Sequence, residues 1–588
     1  MESKFNWNLK EIFKDREEFE TTKNSFLNDL DKITSYQGKL TESSENLLDT
    51  YKIYEKALEK FDRLYAYGML FYHLDMANQE GIKIFKEVEA LGTEFQTKTS
   101  FMTPEITYAK DGLIEKYLEE NKQLDRYKRD IFDILEEKKH VLSKESENLL
   151  ANYSEIFSAP ENSFDILTNA EFVFGTLVNE EGEEVQLTDS NYTVYLKSSN
   201  ENVRKQAFTL MYKKYKEFIN TITELYLTNV KTDTITSKLR NYKSSLEKAV
   251  KNDDASLKVY ESLIETIHEN MNVNHKFIDV KKELLKKKNF QMYDLYVNPF
   301  EIDKDEITFD DAREEVINAL QVLGDKYINK LNEAFDNRWI DVYPGDNKKG
   351  GAYSMSVYGV HPYVLTNFMN SKRDVSTIAH ELGHSMHSYY SNSNQNVIDS
   401  NYTIMTAEVA STVNEILLAQ YQINNETNKT KKAELLYELL EMIRATLFRQ
   451  SMFAEFEKIV HEKIEQGEML SSEDLNEIYY DLNKQYFGDN MIVDEEIQYE
   501  WARIPHFYSD FYVYKYATGI SAAISIAMNI LKQGEKFVNR YIEMLKQGCS
   551  KKSIELLKMV DVDLESKEVY EDAITFYNDK IEELKQLI

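Results

Sequence analysis

The chain has 588 residues, with 71 lysines and arginines against 102 aspartates and glutamates, and a formal net charge of −31. This excess of acid disfavours nucleic acids and anionic membrane surfaces as partners, because both are bound through clustered positive charge. The 18 glycines and 6 prolines are fewer than a β-sandwich, a barrel or a disordered linker protein of this length needs. The composition therefore predicts a mainly α-helical globular protein with two or more lobes.

Cysteine usage and apolar runs indicate the compartment. Cys549 is the only cysteine, which excludes an intrachain disulfide and any multi-cysteine metal site. The N-terminal residues contain no apolar stretch of signal-peptide length. The most apolar segment, residues 522–531, is interrupted by Ser525 and Asn529 and is too short to span a bilayer. We therefore expect a soluble cytoplasmic protein with no membrane partner.

In chain order, residues 8 to about 155 predict consecutive amphipathic helices, since apolar side chains recur at three- and four-residue steps. Short apolar runs at 172–178 and 185–187, separated by a turn that contains Gly182, predict a β-hairpin, and the run 192–196 follows it. Helical periodicity returns near Asn202. We therefore predict a helical N-terminal lobe over 1–200, with the hairpin near its end, and a second lobe over 201–588.

A second irregular region lies inside the helical second lobe, from Trp339 to Val364. It contains Ile340–Tyr343, glycine-rich turns near 345 and 350–351, and the alternating run Ala352–Tyr358. One or two strands joined by tight turns are expected there, with helices from that point to the end of the chain. The predicted fold class is thus mainly α with a small β element.

The sequence contains an HExxH motif at residues 380–384, in a segment typical of a helix. Positions i and i+4 lie on one face of a helix, so His380 and His384 can reach the same ion. Glu381 is rotated from His380 by about 100° and would lie beside the metal, where a carboxylate can accept a proton as water attacks a carbonyl. This pattern indicates metal-dependent hydrolysis and makes the second lobe the catalytic one.

A third ligand is needed, because a bare match arises by chance in about three chains per hundred of this composition. Glu408 lies 24 residues after His384, in a predicted helix whose apolar neighbours make an unpaired carboxylate costly. A catalytic zinc takes three protein ligands and keeps one open position, which predicts His380, His384 and Glu408 as the set. Glu415, on the same face as Glu408, is predicted to orient a ligand imidazole through its other N–H. By contrast, His461–Glu465 is interpreted as a solvated helix face.

Residues 501–519 concentrate aromatic side chains around His506, with Tyr508, Tyr512 and Tyr514 in the same stretch. Imidazole and phenol groups can donate hydrogen bonds to the oxyanion that develops during acyl transfer. Taken alone, the stretch is more typical of an aromatic stripe of the core. Its functional interpretation therefore depends on the metal motif.

These segments together resemble the zinc oligopeptidase family, and in particular its oligoendopeptidase F members. The resemblance is carried by HELGHSMH at 380–387, AEVASTVNE at 407–415 and RIPHFY with FYVYKYATG within 503–519. GGAYS at 350–354, HPYVL at 361–365 and LLKMVDVD at 556–563 also fit. Each piece is short, but the combination is specific to this family.

The resemblance implies a mainly helical fold whose two lobes flank a deep substrate channel, with one zinc ion per chain at its floor and the β element near the active site. It implies cleavage of internal bonds in short unstructured peptides. His380, His384 and Glu408 would hold the zinc, and Glu381 would be the general base that assists attack by zinc-bound water and later protonates the leaving amine.

The resemblance also implies that His506 and a tyrosine of the 508–514 stretch bind substrate and stabilise the oxyanion. Tyr514 and Tyr508 are favoured over Tyr512 for this role. The strand at 350–358 would pair with the substrate backbone, with Gly351, Ala352 and Tyr353 as contact residues in addition to Tyr512.

Two other functions remain open at this point. A metallocarboxypeptidase of related helical fold would need a fixed cation to hold the free carboxylate of its substrate, and Arg503, Arg444 and Arg449 are candidates. A peptide-binding scaffold without catalysis is the other, although a binder has no use for a base such as Glu381 beside the ion. The sequence leaves the oligomeric state open.

Overall fold

The computed structural model describes residues 4–300 and 306–588, so the first three residues of the N-terminal stretch lie outside the described residues. The fold is mainly α, as predicted from the composition, with short strands in two places. None of the helices in the described ranges combines the length and apolar character that a membrane span needs.

The helices follow one another through the chain with short connections. In chain order they are α1 Arg16–Thr34, α2 Ser44–Leu74, α3 Gln79–Thr99, α4 Met102–Thr107, α5 Leu113–Glu120, α6 Lys128–Glu137, α7 Lys144–Asn152, α8 Ser154–Phe157, α9 Ala159–Asp165, α10 Asp189–Leu196, α11 Glu201–Glu217, α12 Ile219–Leu239, α13 Ser245–Asn252, α14 Leu257–Glu269, α15 Met271–Leu284, α16 Phe309–Leu320, α17 Asp325–Asp336, α18 Lys372–Asn394, α19 Ile404–Asn425, α20 Lys429–Ile443, α21 Arg449–Glu465, α22 Ser472–Phe487, α23 Tyr514–Gln533, α24 Glu535–Leu545, α25 Ser553–Lys558 and α26 Glu568–Lys585.

Shorter helical turns and five strands complete the described secondary structure. The 3₁₀ turns are Leu9–Glu11, Lys122–Tyr127, Lys138–His140, Met292–Asp294, Gln321–Leu323, Glu495–Arg503 and Pro505–Tyr508, and π-helical turns occur at Ile166–Glu171 and Arg444–Phe448. The strands are β1 Thr176–Val178, β2 Glu184–Gln186, β3 Ile340–Asp341, β4 Tyr353–Met355 and β5 Tyr363–Leu365. Strands β1 and β2 form the predicted hairpin, with Leu177 opposite Val185.

Two short segments have a secondary structure that their sequence patterns do not indicate. The run at 192–196, which follows the hairpin, belongs to helix α10, because Thr188 caps that helix and Tyr192 and Leu196 supply its buried face. Strand β5 is the central strand of the second sheet, between β3 and β4, and was not anticipated as a strand. All three of its residues are buried, so it lacks the alternation that identifies a half-exposed strand.

The chain forms two compact units, each built from three segments. Within the described ranges, unit 1 comprises residues 4–141, 306–421 and 526–562, and unit 2 comprises 142–300, 422–525 and 563–588. This division differs from the predicted one, in which two consecutive lobes meet at residue 200. The two-lobe division stays a prediction.

In unit 1 the N-terminal segment is fixed to the three-stranded sheet. The Trp7 indole N–H donates to the carbonyl oxygens of Trp339 and Val364, at 3.0 and 2.8 Å. Strand β5 runs parallel to β3 and antiparallel to β4, with Ser354 opposite Val364. Trp7 and two residues of β5, Tyr363 and Leu365, belong to one buried apolar cluster with helices α1 and α2, which holds the sheet against these helices.

In unit 2, the segment His461–Glu465, which was interpreted as a solvated helix face, begins with a buried histidine. His461 is 1% exposed and its Nδ1 lies 2.9 Å from the Glu457 carbonyl oxygen, one turn earlier on α21. Its Nε2 lies 3.7 Å from the carboxylate of Asp233 on α12. The interpretation of this face as solvated is therefore wrong for His461, because α12 packs on it, and holds only for the exposed Glu462.

Candidate metal centre

Helices α18 and α19 bring three metal-ligating side chains together in unit 1. His380 Nε2 lies 3.2 Å from His384 Nε2, and Glu408 Oε2 lies 3.5 and 3.8 Å from these two nitrogens. Donor atoms at ~2.0–2.2 Å from one tetrahedral ion are roughly 3.3–3.6 Å apart. Within the described ranges this is the group of three such side chains that fits a metal ion, and its donor spacing suits zinc.

The close approach of the two helices depends on Gly383, between the two histidines. A Cβ on Gly383 would lie 2.5 Å from Ser411 Cα and 2.7 Å from the Ala410 carbonyl oxygen, nearer than real Cβ contacts. The Asn414 side-chain amide also donates to the Ala379 carbonyl oxygen at 3.0 Å. A glycine in the middle of α18 therefore allows α19 to carry its carboxylate up to the imidazole pair.

The second ring nitrogen of each histidine has its own partner. His380 Nδ1 lies 3.1 Å from Glu415 Oε2, and the Ser376 hydroxyl donates to the other oxygen of Glu415 at 3.1 Å. The remaining nitrogen of His384 lies against the Ala407 backbone carbonyl. Such contacts set the tautomer and the ring orientation of metal-ligating histidines, leaving both Nε2 atoms directed at the same point.

Burial and neighbouring charges determine the pKa values in this cluster. Burial lowers the pKa of His380, but the hydrogen bond and charge of Glu415, with the charges of Glu381 and Glu408, raise it to about 9. Burial and the charge of His380 lower the pKa of His384 to about 3. Burial, with the charges of Glu408 and Glu415, raises the pKa of Glu381 to about 7 against the opposing effect of His380. The carboxylates of the cluster thus favour a positive charge at His380.

Strand β4 meets the side of α18 that carries Glu381. The Ser354 backbone N–H donates to the Glu381 carboxylate, and the hydroxyls of Ser354 and Ser385 are 2.8 Å apart. Ser385 also donates to the Glu381 carbonyl oxygen at 3.0 Å. Glu381 is 7% exposed, so these contacts hold a nearly buried carboxylate beside the imidazole pair.

Among the described residues, β4 is an edge strand of its sheet. The Val364 N–H donates to the Trp339 carbonyl, on the side of β3, so the Ser354–Val364 pair makes no ladder hydrogen bonds between β4 and β5. The backbone groups of Ser354 therefore point away from the sheet. Just before β4, Gly351 has a left-handed backbone conformation, with φ of 83°. The Asn367 side-chain amide donates a hydrogen bond to the Gly351 carbonyl oxygen at 2.8 Å and so holds this turn.

The tyrosines of the 506–516 segment, in unit 2, differ sharply in accessibility. Tyr514 is fully buried, and its hydroxyl donates to the Asp253 carboxylate at 2.8 Å. Tyr508 is 7% exposed and stacks on Phe164 with ring centroids 4.6 Å apart. The two tyrosines favoured from the sequence are thus placed as packing groups.

His506, Tyr512 and Tyr516 form an accessible aromatic group in the same segment. His506 is exposed and stacks on Tyr512 with centroids 5.7 Å apart, and its Nε2 lies 3.4 Å from the Tyr516 hydroxyl. Burial and the charge of Arg449 lower the pKa of His506. Tyr516 was not ranked among the candidates from the sequence; it lies in the first turn of α23, with its ring centroid 5.5 Å from that of Tyr512.

The three candidate arginines of unit 2 are all paired with carboxylates. Arg444 is buried, and its Nη2 lies 3.1 Å from Glu441. Arg449 Nη2 lies 2.8 Å from Glu500, and Arg503 Nε lies 3.0 Å from Asp189. Of the three, Arg444 is the one whose positive charge is neutralised by a carboxylate inside the core.

A family model described as peptidase family M3 matches residues 194–576, which include the metal centre, β4 and the aromatic segment. The chain belongs to peptidase family M3. A second family model, described as oligopeptidase F, matches residues 105–174.

Known relatives extend over almost the whole chain. Oligopeptidase PepF of Bacillus subtilis is 38% identical over 99% of this chain and 87% of its own length. An oligoendopeptidase F homolog of Borreliella burgdorferi is 36% identical over 99% and 98% of the two chains. The crystal structure of oligoendopeptidase-F from Enterococcus faecium superposes with a TM-score of 0.75 at 30% identity, covering 97% and 99%. The resemblance seen in the sequence is confirmed, and this M3 chain is a metalloendopeptidase.

Proposed function

We propose that this M3 peptidase is a zinc endopeptidase that cleaves internal bonds of short, unstructured oligopeptides. The observation that carries the proposal is the meeting of His380, His384 and Glu408 at tetrahedral spacing, with the Glu381 carboxylate beside them. The relatives named oligoendopeptidase F support the substrate class. A cytoplasmic location stays a prediction from the composition.

His380, His384 and Glu408 would hold one zinc ion per chain. When bound, zinc would act as a Lewis acid that polarises the scissile carbonyl and makes water more acidic. Two histidines and one glutamate are a donor set that catalytic zinc uses, and they leave a fourth position open. Glu415 would hold His380 in the tautomer that presents Nε2 to the metal.

Glu381 would be the general base. Burial raises its pKa to about 7, close to the range in which one carboxylate can take a proton from water and return it to the leaving amine. The Ser354 N–H and the Ser354–Ser385 hydroxyl pair would fix the position of this carboxylate. Proton transfer requires such fixed geometry more than any particular ground-state pKa.

Strand β4 would bind the peptide backbone by accepting it as an added strand. Because the Ser354 N–H donates to Glu381, the outward-facing Ser354 carbonyl and the exposed turn at Gly351 would receive an extended chain, and Ala352 and Tyr353 would be further contacts. The Tyr353 hydroxyl is 2.8 Å from His73 Nδ1, which fixes its ring. Only an extended segment can pair in this way, which favours unstructured substrates.

His506 would bind the substrate and, with a neighbouring phenol, donate to the oxyanion. We place Tyr512 ahead of Tyr508 and Tyr514 for this role, because an oxyanion donor must be accessible to the substrate. Tyr516, whose hydroxyl neighbours His506, is a further candidate.

The test uses internally quenched peptides of 8–12 residues with both ends blocked. We expect cleavage at internal bonds that stops when a chelator is added and returns with stoichiometric zinc. Mass mapping of the products identifies the bonds. Trimming of unblocked peptides alone, from the C-terminus, would favour the metallocarboxypeptidase, and binding without cleavage in the presence of zinc would favour the inactive scaffold.

A further inference from the structure

A cavity of about 210 Å³ lies inside unit 2, apart from the residues assigned so far. Its walls come from α10, α11 and α21, with the segments around 292–296 and 495–503. At a share of ~30 Å³ per water molecule, this volume equals about seven waters, enough for a terminal carboxylate and a side chain.

Two arginines provide the cationic part of the wall. Arg503 uses Nε for Asp189, at 3.0 Å, and Arg449 uses one Nη for Glu500, at 2.8 Å. Each guanidinium carries five N–H donors. In the described part of the chain, their other donors make no hydrogen bond, so both arginines keep donors for a ligand.

A buried phenol adds an unused polar group. Tyr192 is 1% exposed and lines the cavity, and its hydroxyl, which lies near Tyr212, makes no hydrogen bond of normal geometry. The Arg503 guanidinium stacks over its ring at 4.7 Å. A buried hydroxyl without a hydrogen-bond partner lowers the stability of the fold unless a ligand or a water molecule supplies the hydrogen bond.

The rest of the wall is mixed. Its apolar part includes Leu196, Phe208, Met292, Leu295 and Met452, and its polar part comprises Thr193, Tyr212, Tyr296 and the carboxylate of Glu500, which pairs with Arg449. An inorganic anion would leave the apolar part of the cavity unfilled, whereas a carboxylate attached to an apolar side chain would use both parts.

We propose that this cavity binds the free C-terminal carboxylate of a peptide, together with the apolar side chain of its last residue. Arg503 and Arg449 would hold the carboxylate, since guanidinium groups recognise carboxylates with two parallel hydrogen bonds. The proposal rests on the proposed function, because Arg503 begins the chain segment that continues into His506, which we assign to substrate binding. It gives a physical reason for acting on short peptides, whose free end would enter this cavity.

The first experiment compares two internally quenched peptides that have the same sequence, end in leucine and differ only in a C-terminal acid or amide. We expect the zinc-loaded enzyme to cleave the acid with kcat/KM about tenfold higher, through KM. R503Q should remove this preference by lowering kcat/KM for the acid, with little change for the amide. Y192F should reduce the preference severalfold. The control R313Q removes an arginine of unit 1 that pairs with Asp336, and should retain the full preference.

The second experiment measures binding without turnover, by calorimetry with N-acetyl-Ala-Leu and its amide. The wild-type protein should bind the acid at least tenfold more tightly, and R503Q should bind both alike. Equal cleavage and equal binding of acid and amide would overturn the proposal while leaving the endopeptidase function intact. A preference that survives both R503Q and Y192F would also overturn it, because the carboxylate would then bind elsewhere. Loss of all cleavage with acid-selective binding retained would instead refute the proposed function and support the cavity.

Discussion

The metal centre of α18 and α19 and the aromatic segment at 506–516 contain the same kinds of polar group but are organised differently. In the metal centre, His380, His384 and Glu408 project from two regular helices. In the aromatic segment the chain passes through a 3₁₀ turn and a loop before α23 begins, and Phe511 has a left-handed φ of 52°.

This comparison shows which functional groups local spacing can identify. Helical periodicity alone places His380 and His384 on one face, so the motif predicts their neighbourhood directly. In the aromatic segment, the two buried tyrosines have their partners in distant parts of the chain. Asp253 takes the Tyr514 hydroxyl, and Phe164 covers Tyr508. Tertiary burial therefore decides which phenols are accessible.

The largest expected effect tests the assignment of the general base. E381Q should lower kcat by about 10³-fold, within the range for loss of a general base, because the amide cannot accept the proton. Zinc content should stay near one per chain, since Glu381 is not in the ligand set. Activity on a quenched peptide and elemental analysis of the same sample are the measurements.

The chain supplies a matched control for this substitution. E462Q changes the glutamate that follows His461, in a segment with a partly similar pattern, but Glu462 is 51% exposed in its side chain and faces Lys458. It should leave kcat unchanged. Equal activity of E381Q and wild type would remove Glu381 from the mechanism.

The next effect concerns the close approach of α18 and α19. G383A should weaken zinc binding about 100-fold, because the added Cβ must push the Ser411 backbone, and Glu408 with it, away from the histidines. Zinc affinity by chelator competition measures this, and helical content by circular dichroism should be retained. G345A, where the nearest atom would be 3.7 Å away, should bind zinc as wild type does. Unchanged affinity in G383A would show that the helices can separate without cost to the site.

A third prediction separates the two classes of tyrosine. Y512F should reduce kcat by about 100-fold with unchanged KM for a short peptide, at the low end of the range for loss of one oxyanion donor. Y514F should leave kcat within about twofold and lower the free energy of unfolding by about 1 kcal/mol, because it loses the hydrogen bond to Asp253. The reverse pattern would restore the ranking expected from the sequence. Y516F, measured beside them, shows whether the neighbour of His506 shares the role.

Much of the fold followed from the sequence, because its signals are local. The amphipathic helices before about residue 155 and the hairpin of β1 and β2 depend on residue spacing and turn residues. Strand β5 was missed because burial on all sides removes its alternation. The contacts of Ser354 and Ser385 with Glu381 were missed for a different reason, since only the folded sheet edge brings β4 to α18.

The smallest effect concerns Asp62 of α2, which is coupled to the chain just after β4. Its carboxylate accepts the Tyr358 N–H at 2.7 Å, yet burial raises its pKa from 3.8 to about 6. The folded state therefore binds a proton that the unfolded state releases between these pH values, and stability falls as pH rises through this window. Above pH 6 the ionised group carries a penalty of up to about 3 kcal/mol.

D62N tests this penalty, because the amide oxygen can still accept the Tyr358 N–H without a charge. Relative to wild type, it should raise the free energy of unfolding by about 1–3 kcal/mol at pH 7 and by almost nothing at pH 4, where Asp62 is largely protonated in the folded protein. Urea unfolding at pH 4, 5.5 and 7 gives the comparison. A gain that is the same at all three values would mean that the substitution acts through packing and not through ionisation. A gain that grows with pH would show that burial sets the protonation of the side chain that holds the chain just after β4, as burial sets the accessibility of the tyrosines in the aromatic segment.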